Sequence, residues 1–167
     1  MNKKNFKGFT LIELLIVIAV IAVLSSLVFV ALNPLARFQD SRNTKRWTDV
    51  NSILSAIKLN QIDNGGTYFE DVDELTAGLY YQIGNEDSCA QACSYPTIVL
   101  QSDCVDLEGL VDEGYMPSVP VDPNDSGSDE SHTGYFLVKS ATGSITVGAC
   151  HEEAGSSESP NPISVVR

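Results

Sequence analysis

The chain has 167 residues, a formal net charge of −12 and four cysteines, and this length allows one ordinary domain. Its charge is unevenly distributed, because 19 of the 22 acidic residues lie from Asp63 onward, where the basic residues are Lys139 and Arg167. A surface this acidic repels phosphates, so we expect no direct binding of nucleic acid. It suits a solvated exterior or the binding of divalent cations.

The N-terminal region combines a basic leader, residues 1–8, with a long apolar run. Residues 14–32 are all apolar except two serines, which is close to the ~20 residues that a helix needs to cross a bilayer. An ionised carboxylate is costly in hydrocarbon, so Glu13 needs a partner or a function there. An ordinary signal peptide is disfavoured, because the processing signal at Gly8 and Phe9 precedes the apolar run and Glu13 would weaken insertion.

The sequence KGFTLIE at 7–13, followed by the aliphatic run, resembles the class III leader of type IV pilins and type II secretion pseudopilins. The resemblance implies that a prepilin peptidase cleaves between Gly8 and Phe9 and N-methylates Phe9. It also implies that Phe9 and Glu13 act in assembly, with Glu13 neutralising the free amino terminus of a neighbouring subunit. Each charge is costly when buried alone, so the pair would fix the register between helices. A polar residue tolerated near the membrane interface is the alternative interpretation of Glu13.

A helix interruption is predicted at Asn33 and Pro34, because proline removes a backbone donor and clashes with the preceding turn. Residues 35–62 predict the amphipathic half of the same helix, with one apolar stripe that packs on a head domain. The basic residues in 37–46 are expected on its other surfaces, facing acidic heads of neighbours or flanking the membrane. The sequence Asn-Gly-Gly at 64–66 predicts the helix end. The stripe consists of Trp47, Val50, Ile53, Leu54, Ile57 and Ile62.

The first part of the head, which we expect to span 63–153, lacks a clean hydrophobic period. Short apolar pieces at 79–81 and 98–100 indicate one or two short strands within loops. Residues 104–111 predict a short helix that ends near Gly114. We therefore expect a loop-rich connection between the long helix and the main sheet.

The clearest strand signals come last, at 134–139 and 144–150, and they flank a hairpin turn at 140–143. From residue 154 the chain is rich in serine and proline, which predicts a mobile tail at 154–167. An additional edge strand at 163–166 is the alternative interpretation of the final residues.

All four cysteines lie in the segment that we expect outside the membrane, namely Cys89, Cys93, Cys104 and Cys150. An even number in an exported domain favours two disulfides, and zinc is the competing interpretation. Three pairings are possible, and we expect Cys89–Cys93 as a tight local loop and Cys104–Cys150 as a long one. The family resemblance supports a long-range link to Cys150, because the family often staples its C-terminal region by one such bridge.

The acidic loop at 122–130 is the most metal-like stretch, because its D-x-N-x-S-G pattern resembles the first half of an EF-hand loop. The second half is missing, since the twelfth position is Thr133 rather than glutamate. The preceding Val-Pro-Val-Asp-Pro run resembles the calcium-bearing loop of major pseudopilins, without the Trp-Gly that often follows there. A simpler Ca²⁺ loop and a solvated acidic turn both remain open. The candidate Ca²⁺ ligands are Asp122, Asn124, Asp125 and Asp129.

We expect no enzymatic activity. The two histidines, His132 and His151, belong to no nucleophile motif, and the sequence has no Gly-rich phosphate loop. The resemblance implies an α+β, pilin-like fold with a long N-terminal helix and a small C-terminal antiparallel β-sheet head. The expected division is a cleaved leader, a hydrophobic helix, its amphipathic half, the head and a tail, at 1–8, 9–34, 35–62, 63–153 and 154–167.

The function implied by the resemblance is that of a structural pilin subunit. Its precursor would lie in the bacterial inner membrane, and the pilus assembly machinery there would build it into a homo-oligomeric helical filament outside the cell. A helix over 9–62 would be roughly 80 Å long. The head cannot cover its lower half, so lipid or other copies must bury it. A pseudopilin of a type II secretion system and a single-span membrane-anchored binding domain are the alternatives.

Overall fold

The computed structural model describes residues 8–86, 88–89, 93–124 and 127–167. The chain divides into two compact units, Met1–Leu35 and Ala36–Arg167. The first unit is mostly helical, and the second combines helices with a β-sheet.

The first unit contains helix α1 (Leu11–Leu32), a continuous helix of 22 residues. It ends where Asn33 adopts a left-handed backbone conformation, with φ 40° and ψ 69°. Asparagine tolerates this conformation better than most residues, and Pro34 cannot donate the bond that would continue the helix. The interruption predicted at Asn33 and Pro34 is therefore confirmed.

Helix α2 (Pro34–Asp63) begins with proline at the first helical position, where a missing N–H leaves no hydrogen bond unmade. Its buried residues include Val50, Ile53, Leu54 and Ile57, as the stripe predicts. The prediction is wrong for Trp47 and Ile62, which are 43% and 71% exposed. Residues at four- and three-residue steps share a helix face, so the buried face continues from Val50 back to Arg46 and leaves Trp47 on its flank.

Five strands form one sheet in the order β2-β1-β3-β4-β5, in which β1 and β2 are parallel and the other neighbours antiparallel. The predicted hairpin is confirmed as β3 and β4. The helix predicted at 104–111 is wrong in its first half, because Cys104 and Val105 end a strand. The elements beyond α2 are α3 (Glu70–Asp73), β1 (Tyr80–Ile83), β2 (Leu100–Val105), α4 (Glu108–Asp112), β3 (Tyr135–Lys139), β4 (Ile145–Ala149) and β5 (Ser164–Val166).

The second unit has its own hydrophobic core. The main cluster joins apolar residues of α2, such as Ile53 and Ile57, to alternate residues of the sheet, such as Leu137 and Val147, all fully buried. A smaller cluster includes Phe136, whose side chain alternates with its strand neighbours. The sheet therefore contributes apolar side chains to two separate buried clusters.

The C-terminal residues complete the sheet. Strand β5 pairs antiparallel with β4, with Thr146 opposite Val166 and Gly148 opposite Ser164, and Ile163 is buried. The mobile tail predicted at 154–167 is therefore wrong for its last residues, and the edge strand is what forms. The β-branched residues near the end of the chain gain more by pairing with an open sheet edge than by staying in solvent.

The cysteines form two disulfides, Cys89–Cys104 and Cys93–Cys150. The expected pairing of Cys89 with Cys93 and Cys104 with Cys150 is wrong, although a long-range link to Cys150 is present. The backbone explains the difference. The N–H of Cys89 donates to a carbonyl of β2, whereas the N–H of Tyr95 donates to the carbonyl of Cys150. Two cysteines close in sequence thus run beside two different strands.

Candidate functional site

The candidate site is the surface of α1. Every residue of α1 is exposed and none is buried; for example, Leu11 is 88% exposed, Phe29 71% and Leu32 60%. In the part of the chain that the structure describes, this is the one helical stretch long and apolar enough to cross a membrane. An apolar surface of this size needs lipid or protein to cover it.

The start of α1 places the predicted processing and assembly residues together. Gly8 and Phe9 are exposed, and Phe9 is 83% exposed. Thr10 caps the helix, because its Oγ1 accepts the N–H of Glu13 at 3.2 Å. In return, Glu13 Oε2 accepts the N–H of Thr10 at 2.9 Å and its hydroxyl at 2.8 Å. This capping box holds the carboxylate at the positive end of the helix dipole.

Within one subunit, Glu13 is thus held by Thr10. Sequence reasoning missed this partner, although threonine followed three residues later by glutamate is the signature of a capping box. Both bonds from Thr10 end on Oε2, and among the described residues Oε1 of Glu13 accepts no bond. The pairing of Glu13 with the amino terminus of a neighbour stays a prediction.

A second cluster of charges lies inside the head. The Arg46 side chain is fully buried, with Nε and Nη2 at 2.7 and 2.8 Å from the two oxygens of Asp122. Its Nη1 lies 3.0 Å from Glu153, which Arg42 also binds. The prediction that 37–46 carries its basic residues outward is wrong for Arg46. Arg46 is four residues before Val50, so it lies on the buried face of α2.

This cluster also determines the protonation of its members. Bonds from Arg42, and then from Arg46, hold the pKa of Glu153 below its ordinary value despite partial burial. Tyr135 donates to Asp49 at 2.7 Å, and burial together with this carboxylate raises the pKa of its hydroxyl. The first half of α2 is therefore joined to the head by charge-assisted bonds as well as by apolar packing.

The predicted calcium ligands do not converge as free carboxylates. Both oxygens of Asp122 bind Arg46, and Asn124 donates to Glu153 at 3.2 Å. Asp129 Oδ1 accepts the backbone N–H groups of Ser131 and His132, while Asp125 lies outside the described residues. No group of three or more His, Cys, Asp or Glu side chains that could hold a metal occurs among the described residues. Calcium binding by this loop stays a prediction, and a cation at Asp122 would compete with Arg46.

Comparison with known proteins identifies the N-terminal segment. Residues 3–29 match the model of the prokaryotic N-terminal methylation motif, a class III prepilin leader characteristic of type IV pilins and pseudopilins. No curated protein and no solved structure matches the chain. The motif implies processing by a prepilin peptidase, a membrane-anchored precursor, and use in pilus or secretion assembly. Type IV pilins and pseudopilins are structural proteins, and the α+β architecture of this chain is consistent with a pilin-like fold.

Proposed function

We propose that this chain, which carries a prepilin leader, is the subunit of a type IV pilus. Cleavage between Gly8 and Phe9 and methylation of Phe9 precede polymerisation through α1 into an extracellular filament. The observation that supports this most strongly is that α1 has 22 residues and none of them is buried. The apolar core of the head consists of residues outside α1. The apolar surface of α1 is therefore available to lipid in the precursor and to other subunits in the filament.

The hydrophobic effect alone does not favour the filament over the membrane. Lipid tails are as apolar as the side chains of α1, so helices leave lipid for one another through packing and polar pairs. A carboxylate and an ammonium are each costly in an apolar interior, and the cost falls when they bind each other. Glu13 supplies the carboxylate, whose Oε1 accepts no bond from the described residues, and cleavage creates the ammonium on Phe9 of another copy. We infer that this pair directs the subunit from lipid into the filament.

The experiment replaces Glu13 and follows three steps separately. Glu13→Ala and Glu13→Gln are expected to leave export and membrane insertion unchanged, and to abolish or greatly reduce filaments. Membrane fractionation, mass spectrometry of the mature amino terminus and electron microscopy of shed surface material measure these steps. Glu158→Gln, a matched change at an exposed carboxylate of the head, serves as the control and is expected to assemble normally.

Normal filaments from Glu13→Ala would contradict the role of the carboxylate in assembly, although they would still show that the chain polymerises. An intact leader before Phe9 would instead indicate a single-span anchored domain. A pseudopilin shares the processed helix and the same chemistry at Glu13, so the position of the assembled material distinguishes the two. A pilus extends beyond the cell surface, whereas a secretion pseudopilus does not.

A further inference from the structure

A small cavity opens on the surface of the head beside α4. Its volume is about 100 Å³, several times what one water molecule needs, so the end of one long side chain fits inside. Part of its lining is apolar, and Ile83 and Leu107 there are at most 1% exposed. Val111 and Val119, which are partly buried, complete the apolar part. The cavity therefore offers an apolar surface to a side chain that enters it.

The same cavity is strongly acidic. Three carboxylates line it, those of Asp106, Glu108 and Glu130, and no basic residue does. Among the described residues, none of these carboxylates forms an ion pair. The charge of Asp106 also reaches Asp71, whose pKa is raised by partial burial and then by that charge. An apolar lining beside unpaired carboxylates matches a side chain with a long apolar stem and a cationic end, as in arginine and lysine.

The chain itself carries such a side chain on α2. Arg37 is exposed and forms no ion pair among the described residues, whereas the other basic residues of 37–46 pair with carboxylates of the same chain. The neighbouring Phe38 is 65% exposed, so this part of α2 leaves both a charge and an aromatic ring uncovered. Arg37 follows Leu32, the last residue of α1, by five residues. Copies that pack through α1 therefore bring Arg37 close to another chain.

We propose that in the filament the cavity of one copy receives the Arg37 side chain of another, with the stem on the apolar lining and the guanidinium against Glu108 and Glu130. This contact rests on the proposed function, because it forms between copies that pack through α1. The two surfaces differ, so each copy offers one arginine and one cavity. Such a heterologous contact links copies head to tail, and it generates a filament when the rotation between copies does not close a ring.

Charge exchange on the full chain tests the contact. Arg37→Glu and Glu108→Arg are each expected to reduce the amount of shed filaments at least about tenfold, because each brings like charges together at the contact. Arg37→Glu/Glu108→Arg restores the attraction and is expected to return filaments close to the natural level. Arg167→Glu and Glu158→Arg make the same charge changes at exposed residues elsewhere and should assemble normally. Immunoblots of sheared filaments measure assembly, and membrane fractions show how much subunit is made.

Filaments at the natural level from either single charge reversal would overturn the contact and leave polymerisation through α1 intact. A double variant as defective as the single ones would also overturn it, as would an equal loss in a control. A natural chain that forms no filaments would contradict the proposed function, and this contact with it.

Cross-linking gives a second measurement that keeps every charge in place. Ser41 is exposed one helical turn after Arg37, and Ser118 lines the cavity. In filaments of Ser41→Cys/Ser118→Cys, a short bismaleimide is expected to produce a ladder of multimers, because each copy joins two others. Either single variant should give no multimers. Monomer alone from the double variant would overturn the proposal, and a dimer without higher multimers would do so as well.

Discussion

Glu152 is buried in the head as a carboxyl group with an unsatisfied oxygen, and its replacement gives a quantitative test of the structure. The residue is 6% exposed, its Oε1 accepts the N–H of Ile163 at 2.9 Å, and its Oε2 has no hydrogen-bond partner among the described residues. Burial raises the pKa of this carboxyl from 4.5 to about 7, even though the positive charge of Arg46 acts in the opposite direction. Asp122, the carboxylate that Arg46 binds, adds to the rise. Between pH 4.5 and about 7, the folded state therefore holds a proton on Glu152 that the unfolded chain releases.

The magnitude follows from this difference in pKa. Above pH 4.5 the unfolded carboxyl loses its proton first, so the free energy of unfolding decreases as pH rises to about 7 and levels off above it, where the carboxyl is ionised in both states. A rise from 4.5 to about 7 corresponds to about 3 kcal/mol as an upper limit, and solvent near the carboxyl reduces it to about 1–3 kcal/mol. Glu153 acts in the opposite direction. Its pKa is lowered in the folded state, so the ionised carboxylate stabilises the fold above its ordinary pKa of 4.5, and this stabilisation is lost on acidification.

The variant Glu152→Gln resembles the protonated carboxyl and cannot ionise. We expect it to be more stable than the natural chain by about 1–3 kcal/mol at pH 8 and by less than about 1 kcal/mol at pH 5. Urea denaturation of the full chain in detergent, followed by tyrosine and tryptophan fluorescence at several pH values, measures both differences. Glu158→Gln, an exposed carboxylate, should keep the pH dependence of the natural chain. If Glu152→Gln also keeps that dependence, the assignment of the proton to Glu152 is refuted.

Two further predictions concern the head. Arg46→Met leaves the buried Asp122 carboxylate without its ion pair and should lower the free energy of unfolding by about 3–5 kcal/mol. Arg46→Met combined with Asp122→Leu should recover much of that loss. Urea denaturation measures both variants, and an equal loss in the double variant would contradict the prediction. The Cys93–Cys150 disulfide spans 57 residues and the Cys89–Cys104 disulfide spans 15. Cys93→Ser/Cys150→Ser should therefore lower the thermal midpoint more than Cys89→Ser/Cys104→Ser, because the longer loop restricts the unfolded chain more. Calorimetry compares the two variants, and the reverse order would refute an entropic origin of the stabilisation.

Local patterns in the sequence predicted much of the fold. The leader and the apolar run are contiguous, and the hairpin of β3 and β4 needs partners only a few residues apart. The interruption at Asn33 and Pro34 likewise follows from the chemistry of two neighbouring residues. Each of these features depends on interactions within a short stretch, where residue type and spacing are sufficient.

The long-range features could not be predicted in this way. The disulfide pairing depends on which strand each cysteine accompanies, and sequence spacing favoured the closest pair. Arg46 was expected at the surface because arginine is rarely buried, and its partner Asp122 lies 76 residues away. The prediction of a calcium ligand at Asp122 did not anticipate its ion pair with Arg46, because the two residues are far apart in sequence. The buried Oε2 of Glu152, which has no partner among the described residues, depends on the orientation of one side chain, which no sequence pattern encodes.

The separate core of the second unit has a consequence for how the chain can vary. In the filament that we propose, the α1 surface must match the corresponding surface of every neighbour, so a change there would alter many contacts at once. The head holds its own apolar clusters and both disulfides, so a change there is absorbed within one copy. Under the proposed assembly, exposed residues of the head are therefore freer to vary than the residues of α1.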